Sequence, residues 1–307
     1  MRRVNIMPVS AMAMPACLAA GLVLGAGFAT AAMAQTSGRA TTPTSVPSPG
    51  SWQATYGVTL IGLPIGTASV SAALDPAKYK IDIQAKLTGL AGMVTGGRGA
   101  GAATGGLSQG KPVSAGYSAS GSNGKEARTV RMAVSGGTAT AVEITPPIEK
   151  KPDAIPLVEA HMRGITDPVS ALLMPVAVGQ DPASAAACNR SIQIFDGNAR
   201  YDINLSFAGT RMVSGNGYEG PVAICNARYV PIAGHRNGKA TKYMAENQDI
   251  QAWLAPVAGT ALVAPYRIAV RSEIGMVVIE ATRFQTAARA TEPAEAALPR
   301  AQRATVR

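Results

Sequence analysis

The chain has 307 residues, of which 28 are Lys or Arg and 18 are Asp or Glu, so its formal net charge is +10. This charge is compatible with peripheral contact with an anionic membrane surface. Aromatic residues make up only 5% of the chain and no cluster of five or more basic residues occurs, which argues against nucleic acid as a partner. No pattern indicates a cofactor or an oligomeric state.

Residues 1–34 have the pattern of a secretory signal peptide. Two arginines follow the initiating Met, an apolar run rich in Ala, Gly and Leu comes next, and Ala32-Met33-Ala34 supplies a small-x-small cleavage site. We predict cleavage before Gln35 and export of the mature chain. An uncleaved anchor is the alternative, whereas a lipid anchor on Cys17 is disfavoured because Cys17 precedes most of the apolar run.

Composition divides the mature chain into three parts. Residues 35–50 are rich in Thr, Ser, Pro and Gly, and residues 286–307 are rich in Ala, Arg and Glu without a strand pattern. They are predicted to be a disordered linker and a disordered basic tail. Residues 51–285 remain as a single β domain, which is long enough to bury a core without a metal.

The first half of this domain shows the two-residue periodicity of strands. The clearest case is 79–87, where Tyr79, Ile81 and Ile83 alternate with polar side chains, as in an antiparallel sheet with one covered face. A turn is predicted at 62–66, and we expect the Gly- and Ala-rich stretch 89–110, which matches no phosphate-binding motif, to bend a strand or to form a mobile loop. Further strands are predicted at 52–60, 112–120, 127–134 and 138–144.

The second half begins with a capped segment and a hairpin. Asp167-Pro168 predicts the start of one short helix reaching Met174, because Asp is a favoured N-cap and Pro a favoured first residue, with Leu172 and Leu173 plugging the sheet. Alternation around the turn Asp196-Gly197-Asn198 predicts a β-hairpin with Tyr201, Ile203 and Leu205 on one face. Later strands are predicted at 222–230, 241–254, 265–272 and 276–284.

Two cysteines remain in the mature chain. Cys188 precedes the hairpin and Cys225 lies in the predicted strand at 222–230. Because export brings the chain to an oxidising compartment, we predict a structural disulfide between them. Reduced, buried thiols are the alternative.

The element count gives the fold class. Eleven to thirteen strands, one short helix and no βαβ alternation predict an all-β protein with an antiparallel half-barrel or barrel-like sheet. The chain has two histidines and no Gly-x-Ser-x-Gly motif, and its Cys and His residues lack metal-ligand spacing. No catalytic or metal-binding residue is therefore predicted, and we expect a protein that is not an enzyme.

Several stretches resemble the bacterial family DUF3108. They are Tyr56-Gly57-Val58 leading to residues 62–66, then 167–173, then 195–202. The resemblance covers about residues 52–285. It implies an exported Gram-negative protein of unknown function, located in the periplasm, and brings no catalytic residue. The family is similar in style to periplasmic half-barrels that carry lipids or lipoproteins.

Two functional hypotheses follow. The first is a periplasmic protein of cell-envelope maintenance that binds a lipid or an apolar segment on a concave face. The second is an envelope protein-protein interaction or assembly module with a filled core and no small ligand. An outer-membrane barrel is disfavoured because polar strand faces carry Lys and Asp. The residues expected to line the concave face are Tyr79, Ile81, Ile83, Tyr201, Ile203 and Leu205.

Overall fold

A computed structural model describes residues 50–89, 92, 96–149 and 151–288. The predicted signal peptide, the linker up to residue 49 and the tail beyond residue 288 lie outside these residues. In the described part, fourteen strands form one antiparallel sheet. This confirms the predicted fold class, with more strands than the eleven to thirteen that the sequence indicated.

Strand bounds follow chain order. They are β1 Ser51–Leu60, β2 Leu63–Leu74, β3 Lys78–Leu87, β4 Arg98–Ser108, β5 Lys111–Ser122, β6 Ala127–Ser135, β7 Thr138–Thr145, β8 Met174–Pro175, β9 Arg190–Phe195, β10 Arg200–Val213, β11 Gly220–Ala233, β12 Ile250–Val257, β13 Leu262–Ser272 and β14 Gly275–Ala287. The helical segments are the 3-10 turns Glu159–Met162 and Ser170–Leu172 and the helices Ala185–Cys188 and Lys239–Glu246.

The sheet consists of two meanders joined through its first and last strands in sequence. Strands β1 to β7 and strands β9 to β14 each pair with their neighbours in sequence, and β1 pairs with β14. This order leaves β7 at one edge and β9 at the other, so the ladder is not closed. The two-residue strand β8 pairs only with β13.

The connection after β7 links the two edges. Ile165 N–H donates to Gly137 O at 2.9 Å, beside β7. Thr166 N–H donates to Gln193 O at 2.8 Å, and Phe195 N–H returns a bond to Thr166 O at 3.0 Å, on β9. Residues 163–166 therefore lie between the two edges of the sheet and pair with both.

Buried side chains form two clusters. The first lies within the barrel-like sheet and includes the fully buried Trp52 and Phe284. The second contains Cys188 and Cys225. Neighbouring residues of one strand join different clusters, as with Val222 and Ala223 on β11. Successive strand residues point to opposite faces, so the second meander is covered on both faces.

Two predicted elements differ from the structure, and the structure settles a third. The strand predicted at 241–254 is wrong, because Lys239–Glu246 is a helix of good helix formers and β12 begins only at Ile250. The turn predicted at 62–66 is confined to Ile61 and Gly62, which both have positive φ. The stretch 98–108, left open between bent strand and loop, forms the strand β4.

Two further boundaries also differ. The prediction of one short helix at 168–174 is wrong in number, and the segment there is a 3-10 turn over Ser170–Leu172 followed by β8. The last strand continues past Phe284 to Ala287, two residues into the predicted tail.

Candidate functional site

A buried aspartate organises the segment 165–175, which we call the plug. The Oδ1 atom of Asp167 accepts hydrogen bonds from the backbone N–H groups of Val169 at 2.9 Å and Ser170 at 2.8 Å. These are the otherwise unpaired donors at the start of a helical turn, which a side-chain oxygen stabilises. Asp167 thus accepts from the N–H groups that lead into the turn, but the turn is a 3-10 turn that begins at Ser170, with Val169 rather than Asp167 at its N-cap position.

Two strands of the sheet hold this turn in place. Ser114 on β5 donates its hydroxyl hydrogen to Oδ2 of Asp167 at 2.7 Å, and Tyr79 on β3 donates to Oγ of Ser170 at 2.7 Å. The Oγ atoms of Ser114 and Thr166 lie 3.0 Å apart. We call these five residues, Tyr79, Ser114, Thr166, Asp167 and Ser170, the polar joint.

Four of the five residues of the polar joint are buried, and Thr166 is partly exposed. Asp167 has no exposed surface, and Ser114 and Ser170 are at most 4% exposed. Burial raises the pKa of the Asp167 carboxyl, while hydrogen bonds from Ser114, Ser170 and the backbone oppose that rise. Burial likewise raises the pKa of the Tyr79 hydroxyl. The hydrogen bonds of these groups join the plug to strands β3 and β5.

The two histidines and Asp196 lie outside the polar joint. His161 Nδ1 accepts from the backbone of Val158 at 3.3 Å, outside the polar joint. Burial lowers the pKa of His235, which lies after β11. Asp196 accepts bonds from the N–H groups of its own turn. Within the described ranges, no group of three or more His, Cys, Asp or Glu residues could hold a metal ion.

The predicted disulfide is present. Cys188 and Cys225 are bonded, with their Cα atoms 5.4 Å apart, and both are fully buried. The bond ties the end of the helix Ala185–Cys188 to the middle of β11. It lies in the second cluster, which Met174 of the plug also joins, and it supports that covering of the second meander.

The six residues predicted to line one concave face are divided between the two clusters. Tyr79 and Ile81 are buried in the first cluster, with Ile83 packed against it. Tyr201 and Leu205 are buried in the second cluster, with Ile203 packed against it. Tyr201 packs against Tyr229 with ring centroids 5.3 Å apart. The structure therefore places these side chains in packed cores rather than along a single shared face.

An open groove crosses strands β4 to β7, and we call it the transverse groove. Its volume is about 560 Å³, within the roughly 300–1,000 Å³ typical of ligand pockets. The inward row beneath it includes Ala103, Tyr117 and Met132, whose side chains are buried. The two rows of residues that flank this floor on the opposite face are Ala102, Ser118, Arg131 and Glu143, and Thr104, Gly116, Ala133 and Ala141.

Small side chains and two register shifts shape the transverse groove. The β4–β5 ladder shifts between Thr104 and Gly105, and the β6–β7 ladder shifts between Ala133 and Val134. Such bulges bend a strand and increase its twist. Both shifts lie directly beside the row that contains Gly116, so the sheet bends where its surface side chains are smallest.

Sequence reasoning missed both the transverse groove and the polar joint. The signal for the groove is the run of Gly and Ala across 98–106, which does not indicate a site until the strand register is known. Ser114 gave no signal at all, because its partner Asp167 lies 53 residues further along the chain.

Comparison with known proteins places the chain in a family. The model described as "Protein of unknown function (DUF3108)" matches residues 51–282. The chain belongs to the DUF3108 family. The resemblance seen in the sequence is therefore confirmed over most of the chain, and this DUF3108 domain coincides with the fourteen-stranded sheet. Among curated proteins, no sequence matches this one.

Two solved structures are similar to this DUF3108 protein. One is the beta-barrel-like protein of domain of unknown function DUF1849 from Brucella abortus, with 10% identity, a TM-score of 0.45, and coverage of 78% of this chain and 98% of that chain. The other is described as a candidate lipoprotein from Parabacteroides distasonis, with 9% identity, a TM-score of 0.29, and coverage of 78% and 96%. None of the described helices is long and apolar enough to cross a membrane.

Proposed function

We propose that this DUF3108 protein is a non-enzymatic periplasmic protein of the cell envelope that binds an acyl chain or an extended apolar segment in the transverse groove. One observation carries the proposal. A row of small residues, Thr104, Gly116, Ala133 and Ala141, faces the row that ends in Arg131 and Glu143 across a floor of backbone. Residues two apart on one strand place those rows about 7 Å apart. The groove spans four strands, which is about 14 Å between the outer strands. These dimensions suit one extended chain.

The lining supports an amphipathic ligand. Five of the twelve lining residues are Ala or Gly, whereas Arg131 and Glu143 lie at one margin with Nη1 and Oε2 3.7 Å apart. Both of these side chains are about two-thirds exposed, so either can turn toward a polar head group. The packing of Tyr79 and Tyr201 in separate cores favours a site on the sheet surface over one inside the barrel.

Two further observations support a binding role over catalysis. The buried polar groups of the polar joint are occupied in holding the plug. The described histidines lie apart from them, and no nucleophile with an adjacent base stands in the transverse groove. Periplasmic location rests on the signal-peptide pattern. Sequencing of the mature N-terminus is expected to begin at Gln35, and a chain that retains Met1 or begins at Cys17 would contradict export by cleavage.

Native mass spectrometry of protein purified from its own cells tests the groove. We expect a co-purifying lipid or peptide that is lost from Ala133→Trp, because an indole there fills the space beside Gly116. Ala127→Trp is the matched control, since it lies on the same strand and face, six residues from Ala133. A ligand retained equally by both variants would refute the site.

The second candidate is an assembly module with a filled core. The burial of Tyr79, Ile81, Tyr201 and Leu205 in packed clusters favours it. If wild-type protein carries no small ligand and instead forms a complex with another envelope protein that Ala133→Trp abolishes, this candidate replaces the first.

A further inference from the structure

Two neighbouring turns at one end of the sheet expose large aliphatic side chains. Ile61 lies in the β1–β2 turn and Ile274 in the β13–β14 turn, and they are 67% and 69% exposed. Leu63, which follows the first turn, is 69% exposed. The N–H of Ile61 donates to Met276 O at 2.9 Å, so the two turns are fixed side by side. We call Ile61, Gly62, Leu63, Ile274 and Gly275 the tip.

The tip has an unfavourable backbone for its sequence. Ile61 has φ 51° and Gly62 φ 78°, the conformation of a two-residue hairpin turn that strongly prefers Asn, Asp or Gly. A β-branched residue at positive φ is strained. Gly275 accommodates it, because a Cβ there would lie 2.4 Å from Cγ1 of Ile61. The chain thus places an exposed isoleucine where asparagine would be more stable in water.

The apolar surface continues around the strands behind the tip. Met276, Val277, Val278 and Ile279 are consecutive residues of β14, and all four are partly exposed. Successive residues point to opposite faces, so both faces of the strand end show apolar side chains to the surroundings. Leu60 and Ile65 beside them are also partly exposed.

Two cations face each other on the strands next to the tip. Lys86 on β3 and Arg98 on β4 are directly paired, and both are exposed. Like charges opposed across two strands destabilise a sheet. Lys86 also pairs with Thr67 on β2, four residues from Leu63, which sets the pair about 13 Å behind the tip. One exposed acidic residue, Glu273, lies next to the tip in sequence.

We propose that the tip inserts into the surface of a lipid bilayer with anionic head groups, independently of what the transverse groove binds. Three aliphatic side chains offer far less than the roughly 800 Å² per partner of a stable protein interface. A bilayer interface surrounds an inserted strand end on both faces, as the exposure of β14 requires. Anionic head groups would then compensate the opposed charges of Lys86 and Arg98.

Vesicle flotation of the protein purified from its own cells tests the proposal. The probes are phosphatidylethanolamine vesicles with and without phosphatidylglycerol. For the double variant Ile61→Asn/Ile274→Asn we expect the affinity for vesicles that contain phosphatidylglycerol to fall by at least about tenfold, because two aliphatic side chains no longer enter the interface. The matched control is Val178→Asn/Met212→Asn, which removes side chains that are 89% and 67% exposed elsewhere and is expected to bind like wild type.

The melting temperature of each variant distinguishes loss of membrane contact from loss of folding stability. Asn suits the Ile61 position, so the tip variant is expected to melt no lower than wild type. Lys86→Gln/Arg98→Gln is expected to weaken binding only where phosphatidylglycerol is present. Wild-type protein that binds no vesicles, or a tip variant that binds them equally, would overturn the proposal. A wild-type dimer in sedimentation that Ile61→Asn/Ile274→Asn dissolves would overturn it as well, in favour of a second copy of the chain.

Discussion

The hydroxyl group of Ser114 on β5 donates a 2.7 Å hydrogen bond to the carboxyl group of Asp167 in the plug. Both residues are buried, and 53 residues of chain separate them. The same carboxyl group holds the turn of the plug through its other oxygen. One side chain thus fixes both the local conformation of the plug and its attachment to the barrel-like sheet.

Replacement of Asp167 by Ala is expected to lower the free energy of unfolding by about 2 to 4 kcal/mol, from loss of a cap and exposure of unpaired buried donors. Asp167→Asn is the matched control. Its amide oxygen can still accept from Val169 and Ser170, and its NH₂ group can donate to Ser114. Urea denaturation measures both, and equal destabilisation by the two variants would contradict the hydrogen-bonding role.

The stability contribution of Asp167 is also expected to depend on pH. Burial raises the pKa of this carboxyl in the folded protein above its ordinary value of 3.8. Folding therefore favours the protonated form, so the contribution is full below pH 3.8 and declines as the pH rises through the folded-state pKa. The difference in unfolding free energy between wild type and Asp167→Asn should fall over this range.

A pH series of urea titrations measures that difference. Subtracting the variant removes the other titrating groups, which the two proteins share. A difference that instead rises with pH would mean that the hydrogen bonds to the carboxylate outweigh burial and hold its pKa below 3.8.

Two adjacent glycines of β4 should differ sharply in their tolerance of a methyl group. A Cβ on Gly105 would lie 2.2 Å from Val113 O and 2.4 Å from the Tyr79 hydroxyl, whereas a Cβ on Gly106 would lie 3.5 Å from Ala77 O. We expect Gly105→Ala to cost about 1 to 3 kcal/mol through overpacking. Gly106→Ala should change stability by less than about 1 kcal/mol. Thermal unfolding checks the pair, and equal effects would contradict the close packing of β4 on Tyr79.

The sequence predicted those strands in which apolar and polar residues alternate. It did not distinguish strand from loop where the side chains are small. Tyr79, Ile81 and Ile83 revealed β3 because large apolar residues recur at every second position. In β4, Gly and Ala occupy both faces, so no periodic signal separates a strand from a loop. The helix Lys239–Glu246 was mistaken for a strand because the apolar residues beyond it, from Ile250, were counted into the same element.

The sites depend on register, which periodicity does not supply. Arg131 lies beside Ser118 and Glu143 only because β5, β6 and β7 pair at those residues. A shift of one residue would turn the side chains of the transverse groove to the other face. The cysteine pair, by contrast, was predictable because only Cys188 and Cys225 lie outside the predicted signal peptide.

The C-terminal boundary can be placed by truncation. Thr286 pairs with Trp52 and Ala287 with Ser51 at the end of the β1–β14 ladder. Ending the chain after Ala288 is expected to leave the melting temperature unchanged. Ending it after Gln285 removes both pairs beside the buried Trp52 and is expected to lower the melting temperature. If the longer chain also melts many degrees lower than wild type, the segment beyond residue 288 contributes to folding.

The last prediction concerns the disulfide, which closes a loop with a sequence separation of 37 residues. In the chain-entropy model such a loop stabilises a fold by about 4 kcal/mol, a large share of the roughly 5–15 kcal/mol of a typical domain. The double variant Cys188→Ala/Cys225→Ala is expected to lose about this amount of unfolding free energy, because its unfolded chain is no longer constrained. The matched control is wild type unfolded in the presence of reductant, which breaks the same bond without changing side-chain size. Agreement of the two values would assign the loss to the bond.

The ligand proposed for the transverse groove is expected to bind the double variant as it binds wild type, because Cys188 and Cys225 lie in the second cluster, outside that groove. Peptide mapping without reductant checks the starting state, and free alkylation of both cysteines in native protein would contradict the bond.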